Sequence, residues 1–102
     1  MQLIQIFLPL IEKETKDFAR NLYTEIRKEL MENFGGITTY TRSPATGLWK
    51  EESDKTVKDK IIIYEVMAED LNRDWWKQYK QNLEEQFQQD EIIIRTWKID
   101  VL

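Results

Sequence analysis

The chain has no cysteine and no histidine, and it carries only three glycines and two prolines in 102 residues. The missing thiols exclude disulfides, thiolate nucleophiles and soft metal ligands. The missing imidazoles exclude the commonest general base and the usual zinc, copper and haem ligands. A hard cation held by carboxylates would need several oxygens converging, and no calcium-loop pattern of alternating Asp or Asn followed by Gly is present. No metal and no cofactor is therefore expected. Ser43 has no His to activate it and no lysine at a recognisable spacing, so "SPATG" is read as a turn rather than a nucleophile motif. The pair Gly35 and Gly36 lacks the further glycines and the Lys-Ser/Thr ending of a phosphate loop.

Clustered positive charge is also missing. The formal net charge is −4, and Lys and Arg are interspersed with Asp and Glu. Phosphate affinity comes from clustered cations that release counterions, so no nucleic-acid partner is expected. Long hydrophobic runs are absent too. The most apolar stretch, "MQLIQIFLPLI", has no basic leader, is too short to span a bilayer and contains Gln at alternating spacing, so it is read as a strand. No membrane partner and a cytoplasmic location are expected.

What is present is the mixture of a water-soluble globular protein, 41% hydrophobic and 33% charged. A chain of this length buries roughly 65% of its unfolded surface, enough for one core and one domain over residues 1–102. Strand character over QLIQIFL stops at Pro9, which has no N–H for a central ladder. A helix from about 15 to 33 follows, with Thr15 as cap and Asp17 in its first turn. Phe18, Leu22, Ile26 and Leu30 form its apolar stripe, widened by Ala19 and Tyr23. Gly35 closes it, because glycine takes the left-handed conformation at little steric cost.

ITTYTR suits a short strand at a sheet edge. A charged loop of about fifteen residues is expected after it, within TRSPATGLWKEESDKTVKDK, with the run KEESDKTVKDK solvated and mobile. KIIIYEVMA is a strand apolar enough to sit at the sheet centre. A second helix begins near DLNRDWW, with Asn72 or Asp70 as cap and Leu71 and Trp76 as a hydrophobic staple. Trp76, Tyr79, Leu83 and Phe87 continue one face, and Lys77, Lys80, Glu84 and Glu85 the wetter one. Trp75 and Trp76 point about 100° apart, one to the core and one to its rim. EIIIRTWKI is the fourth strand. The order βαββαβ is that of an α+β, ferredoxin-like fold: a four-stranded antiparallel sheet with two helices on one face.

Side chains alternate between the two faces of a strand, so parity sorts them. The aliphatic sets, Ile4, Ile6 and Leu8 with Ile92 and Ile94, are assigned beneath the helices. The other face then shows Leu3, Gln5, Phe7, Ile61, Ile63, Glu65, Arg95 and Trp97, a greasy surface with a polar patch. Left in water it would exceed the apolar area a monomer tolerates, and a second copy of the chain is the expected cover. The patch of Gln5, Glu65 and Arg95 is read as a hydrogen-bond network inside such an interface, or as the polar part of a small-ligand cavity. Arg42, Trp49 and Lys50 are expected to overhang one edge, with Trp49 packing on the rim or a neighbouring subunit in preference to forming a lid.

Through "IQIFLPL", "FGGITTYTRSPATGLWK", "IIIYEVMAEDLNRDWWKQYKQNLEEQF" and "EIIIRTWKI" the chain resembles a group of small, uncharacterised bacterial ferredoxin-like domain proteins. More distantly it is similar to the dimeric α+β barrel proteins, which include cofactor-independent monooxygenases and small-molecule-binding domains. The first resemblance carries no established substrate or catalytic residues; a self-associating domain without assigned catalysis is read instead from the apolar residues on both sides of strands one, three and four. The second is compatible with an alternative read from the same face: a small organic ligand in a cavity above it, under the Trp49 loop, with Glu65 as general base, Arg95 holding an anionic oxygen, and Phe7 and Trp97 flanking a planar ring. An acidic effector that engages a basic partner fits the charge but has no motif of its own.

Overall fold

Three apolar residues spaced two apart, Ile4, Ile6 and Leu8, are fully buried on β1 (Gln2–Pro9), as the alternation in that segment dictates. The computed structural model describes residues 1–11, 16–50 and 56–102, leaving aside the side chains of residues 16, 42–45, 49–50 and 56–59. The expected cap Thr15 lies outside the described residues. After β1 come α1 (Lys16–Phe34), β2 (Thr38–Lys50), β3 (Thr56–Ala68), α2 (Arg73–Phe87) and β4 (Ile94–Lys98). The strands lie in the order β2-β3-β1-β4, every neighbouring pair antiparallel. This is the ferredoxin-like α+β arrangement.

The helices cover one face only. Ile4, Ile6, Leu8, Ile62, Tyr64, Val66 and Ile92 meet Ile26 and Leu30 of α1 and Trp76, Tyr79, Leu83 and Phe87 of α2 in a single core. Aromatic rings meet where the helices touch: Phe34 of α1 stacks on Trp76 of α2 with centroids 5.2 Å apart and meets Trp75 edge-on at 5.4 Å, while within α2 Trp75 stacks on Tyr79 at 4.8 Å. Tyr23 ties α1 to the end of β1, its hydroxyl donating to the Pro9 carbonyl and accepting from the Ile11 N–H. Phe18 departs from the expected stripe and is half exposed. Among the described residues no helix is long and apolar enough to cross a membrane.

α1 ends and α2 begins as their sequences require. Gly35 takes a positive φ of 77°, and its N–H closes the last turn on Met31. Asn72 caps α2, its side chain accepting from the Trp75 N–H at 3.1 Å. Asn72→Ala removes that acceptor and is expected to cost about 1 kcal/mol, read as a lowered urea midpoint with an unchanged slope.

The long charged loop is where expectation and structure part. β2 runs on to Lys50 and β3 begins at Thr56, so most of that segment is a two-stranded ribbon. Trp49 pairs with Val57, and Lys50 with Thr56. The expected turn SPATG lies within β2, where the register shifts between Tyr40 and Ala45. An irregular edge strand tolerates Pro44, whose missing N–H need not face a partner. Of the run expected to be a solvated loop, Lys50 and residues 56–60 are strand, and residues 51–55 lie outside the described part. The expected fourth strand is trimmed to Ile94–Lys98, although Phe7 still donates to the Ile93 carbonyl.

The connection from α2 to β4 is held by one carboxylate. Glu84 accepts from Lys80 at 2.6 Å and from the Ile92 N–H at 2.9 Å. The Lys80 ammonium and that N–H hold the Glu84 carboxyl below its ordinary value. A depressed folded-state pKa means a contribution present above the unfolded-state value and lost as pH falls through the folded one. Glu84→Gln should therefore lower stability near neutral pH, and the gap to the parent should close on acidification through that range. Urea midpoints measured from about pH 7 down to about pH 2 would check this; a gap independent of pH would contradict it.

Candidate functional site

The face of the sheet away from the helices is organised by strand register. Gln5, at the middle of β1, lies opposite Glu65 on β3 and opposite Arg95 on β4. All three therefore point to the same side in one row across the sheet. The Gln5 amide donates through Nε2 to Glu65 Oε1, and its Oε1 accepts from Arg95 Nε at 2.9 Å. Tyr40 of β2, opposite Ile63, adds a hydroxyl donated to Glu65 Oε2 at 3.3 Å. Four strands thus contribute to a chain of side chains from Tyr40 to Arg95. The negative charge of Glu65, with smaller contributions from burial and from the hydrogen bond, holds the Tyr40 phenol above its ordinary value.

Apolar rows flank the polar one. Met67, Leu3 and Trp97 form one, and Ile63 and Phe7, with Ile93 beyond them, the other. The Arg95 guanidinium carbon lies 4.6 Å from the centroid of the Phe7 ring and 5.7 Å from that of Trp97, cation–π contacts that orient the head group across the surface. Trp97, Met67 and Ile93 are 41%, 49% and 50% exposed, so the isolated chain leaves these large apolar groups in water. Where β2 and β3 run past β1, the face continues into a groove of about 550 Å³, with Phe7, Pro9, Leu48, Ile61 and Ile93 among its lining and Asp90 and Glu91 at its rim.

Of the residues singled out from sequence, Gln5, Phe7, Glu65, Arg95 and Trp97 come together here. The main chains of Arg42 and Trp49 belong to β2, and their side chains lie outside the described part. Trp49 stands in the ribbon rather than in a loop; the β3 residues opposite Tyr40 and Trp49, Ile63 and Val57, are six apart, about 20 Å along the strand at about 3.3 Å per residue. Sequence reasoning missed Tyr40 and Leu48. The only signal for Tyr40 was its place in an edge strand, and its partner depends on a β2–β3 register that no local pattern specifies. Among the described residues no three carboxylates converge as a metal site would need.

The arrangement offers a neutral, internally hydrogen-bonded row in an apolar surface, with the Nε of Arg95 engaged and its guanidinium laid over Phe7. No protein-family model matches the chain, and no curated protein does. Several solved structures are similar in fold. CutA1 from Pyrococcus horikoshii matches at 17% identity over 100% of this chain and 86% of that one, with a TM-score of 0.58. The PII-like protein CutA from Nostoc sp. PCC 7120 matches at 10% identity over 98% and 82%, with a TM-score of 0.56. A phage SAM lyase solved with S-methyl-5′-thioadenosine matches at 14% identity over 95% and 80%, with a TM-score of 0.58. At such identities these likenesses establish that the chain is a ferredoxin-like α+β domain.

Proposed function

We propose that the protein is a self-associating domain whose open sheet faces pair in a homodimer. The observation that carries this reading is the mutual satisfaction of Gln5, Glu65 and Arg95 within an apolar surface. A polar row that completes its own hydrogen bonds can be buried against another molecule without leaving an unpaired charge, whereas an unsatisfied one would oppose burial. The face is about 26 Å along β1 and about 19 Å across four strands, in the range of the largest apolar patches on monomers, which mark interaction sites.

Symmetry sharpens the reading. A two-fold axis parallel to β1 and midway between the two sheets, above Gln5, reverses the row, so Glu65 of each copy faces Arg95 of the other across the sheet-to-sheet gap. An isologous interface then gains two complementary charge contacts for one arrangement. Sedimentation velocity on the full chain from about 1 to about 100 µM should give twice the single-chain mass of 12.4 kDa at the upper end. A mass of 12.4 kDa throughout would overturn the proposal.

Arg95 favours a second reading, a small-molecule-binding or monooxygenase-like protein of the dimeric α+β barrel type. Its Nε is occupied by Gln5, while the rest of the guanidinium lies over Phe7 and near Trp97. That geometry suits an anionic oxygen on a planar ring, with Glu65 as the base. Loss of ligand binding in Arg95→Ala with the assembly intact would favour this reading. Dissociation of the assembly favours the first.

A further inference from the structure

A second concavity lies on the opposite side of the sheet, where α2 diverges from β4. Its volume is about 160 Å³, room for several water molecules and hence for a short hydrocarbon chain. The floor is Ile4, Trp76 and Ile94, and the mouth is Arg73, Lys77 and Lys80. These cations stand at i, i+4 and i+7 of α2, on one stripe of the helix. Lys80 is committed to Glu84 at 2.6 Å and to Glu91 at 3.3 Å. Arg73 and Lys77 have no acidic partner among the described residues.

Their placement runs against helix electrostatics. Like charges four apart repel, and a cation in the first turn opposes the positive end of the helix dipole. Two cations held in this way around an apolar floor form a local field complementary to an anion, in a chain whose net charge is negative. The sheet adds donors beside them. Phe7 donates to Ile93, and Ile99 to Met1, so the odd-numbered residues of β4 exchange hydrogen bonds with β1. The N–H groups of Ile94 and Thr96 therefore face the open edge of the sheet, next to the slot.

We propose that this slot binds a small organic monocarboxylate: the carboxylate is held by Arg73 and Lys77, and the hydrocarbon lies on Ile4, Trp76 and Ile94. The guanidinium of Arg73 supplies the planar fork that fits a carboxylate. The apolar floor discriminates against inorganic anions, which have no hydrocarbon to bury. The site lies on the helix side of the sheet, so it stands or falls independently of pairing through the open face.

Hexanoate is a suitable probe, with hexylammonium as the control of equal chain length and opposite charge. Titrations followed by two-dimensional NMR should show saturable shifts at the Trp76 indole N–H and the Thr96 amide. Hexanoate should bind at least about 10-fold tighter than hexylammonium. The double variant Arg73→Gln/Lys77→Gln, altered only at exposed positions, should weaken hexanoate by about 10-fold or more while preserving the spectrum of the fold. Absence of saturation with hexanoate, equal binding of hexylammonium, or an unchanged affinity in the double variant would each overturn the assignment.

Discussion

Arg95→Glu is expected to abolish the proposed pairing of open faces, weakening self-association by about 100-fold or more. The reason is the row through Gln5. With the proposed two-fold axis along β1, the substitution sets a carboxylate against Glu65 of the opposite copy, and it does so twice in one interface. Breaking a buried charge contact costs roughly 2–5 kcal/mol, much of it from the charge left unpaired. Within one chain the loss is small, because Arg95 is exposed and contributes through its bond to Gln5 and its contact with Phe7.

The charge-swapped double variant Glu65→Arg/Arg95→Glu is the decisive companion. Gln5 can turn its amide over and serve a donor on β3 and an acceptor on β4, so the row is rebuilt in reverse and the cross-interface complementarity returns. Sedimentation velocity should show the single variant at 12.4 kDa and the double variant reassembled. A single variant that still pairs, or a double variant that stays apart, would remove the open face from the interface.

Trp76→Ala should be the most damaging single truncation in the helix layer, at about 3–5 kcal/mol, a large part of the roughly 5–15 kcal/mol that holds a domain together. Trp76 is 6% exposed. It stacks on Phe34 at 5.2 Å, meets Tyr79 edge-on at 5.8 Å and touches Trp75 at 4.8 Å. Removing it opens a cavity that three neighbouring rings are too rigid to fill, and it loses pair energies of about 0.5–1.5 kcal/mol each. Trp75 is partly buried against the edge of the core, so Trp75→Ala should cost less than Trp76→Ala. Urea unfolding at one fixed protein concentration keeps any association term constant. Equal costs for the two tryptophans would contradict the assignment of core and rim.

Much of this fold was legible because local periodicity decides which way a side chain points. Two-residue alternation along β1 and β3 separates Ile4, Ile6, Leu8 and Tyr64 from Gln5, Phe7 and Glu65. The stripe Trp76, Tyr79, Leu83 and Phe87 faces the core as its spacing requires. The ribbon was not legible. TRSPATGLWK has the glycine, proline and serine of a turn, and its strand state comes from pairing with residues of β3 most of which are polar or charged.

The sequence by itself determined the order of elements, the faces of β1, of the apolar part of β3 and of β4, and the exclusion of thiol and imidazole chemistry. Each of these follows from side-chain type and short-range spacing. Only the tertiary structure decided that Gln5 stands opposite both Glu65 and Arg95, that Tyr40 reaches the same carboxylate, and that α2 and β4 part to leave a cation-rimmed slot. Those are matters of register and of the divergence of packed elements, set by contacts between residues as much as ninety positions apart.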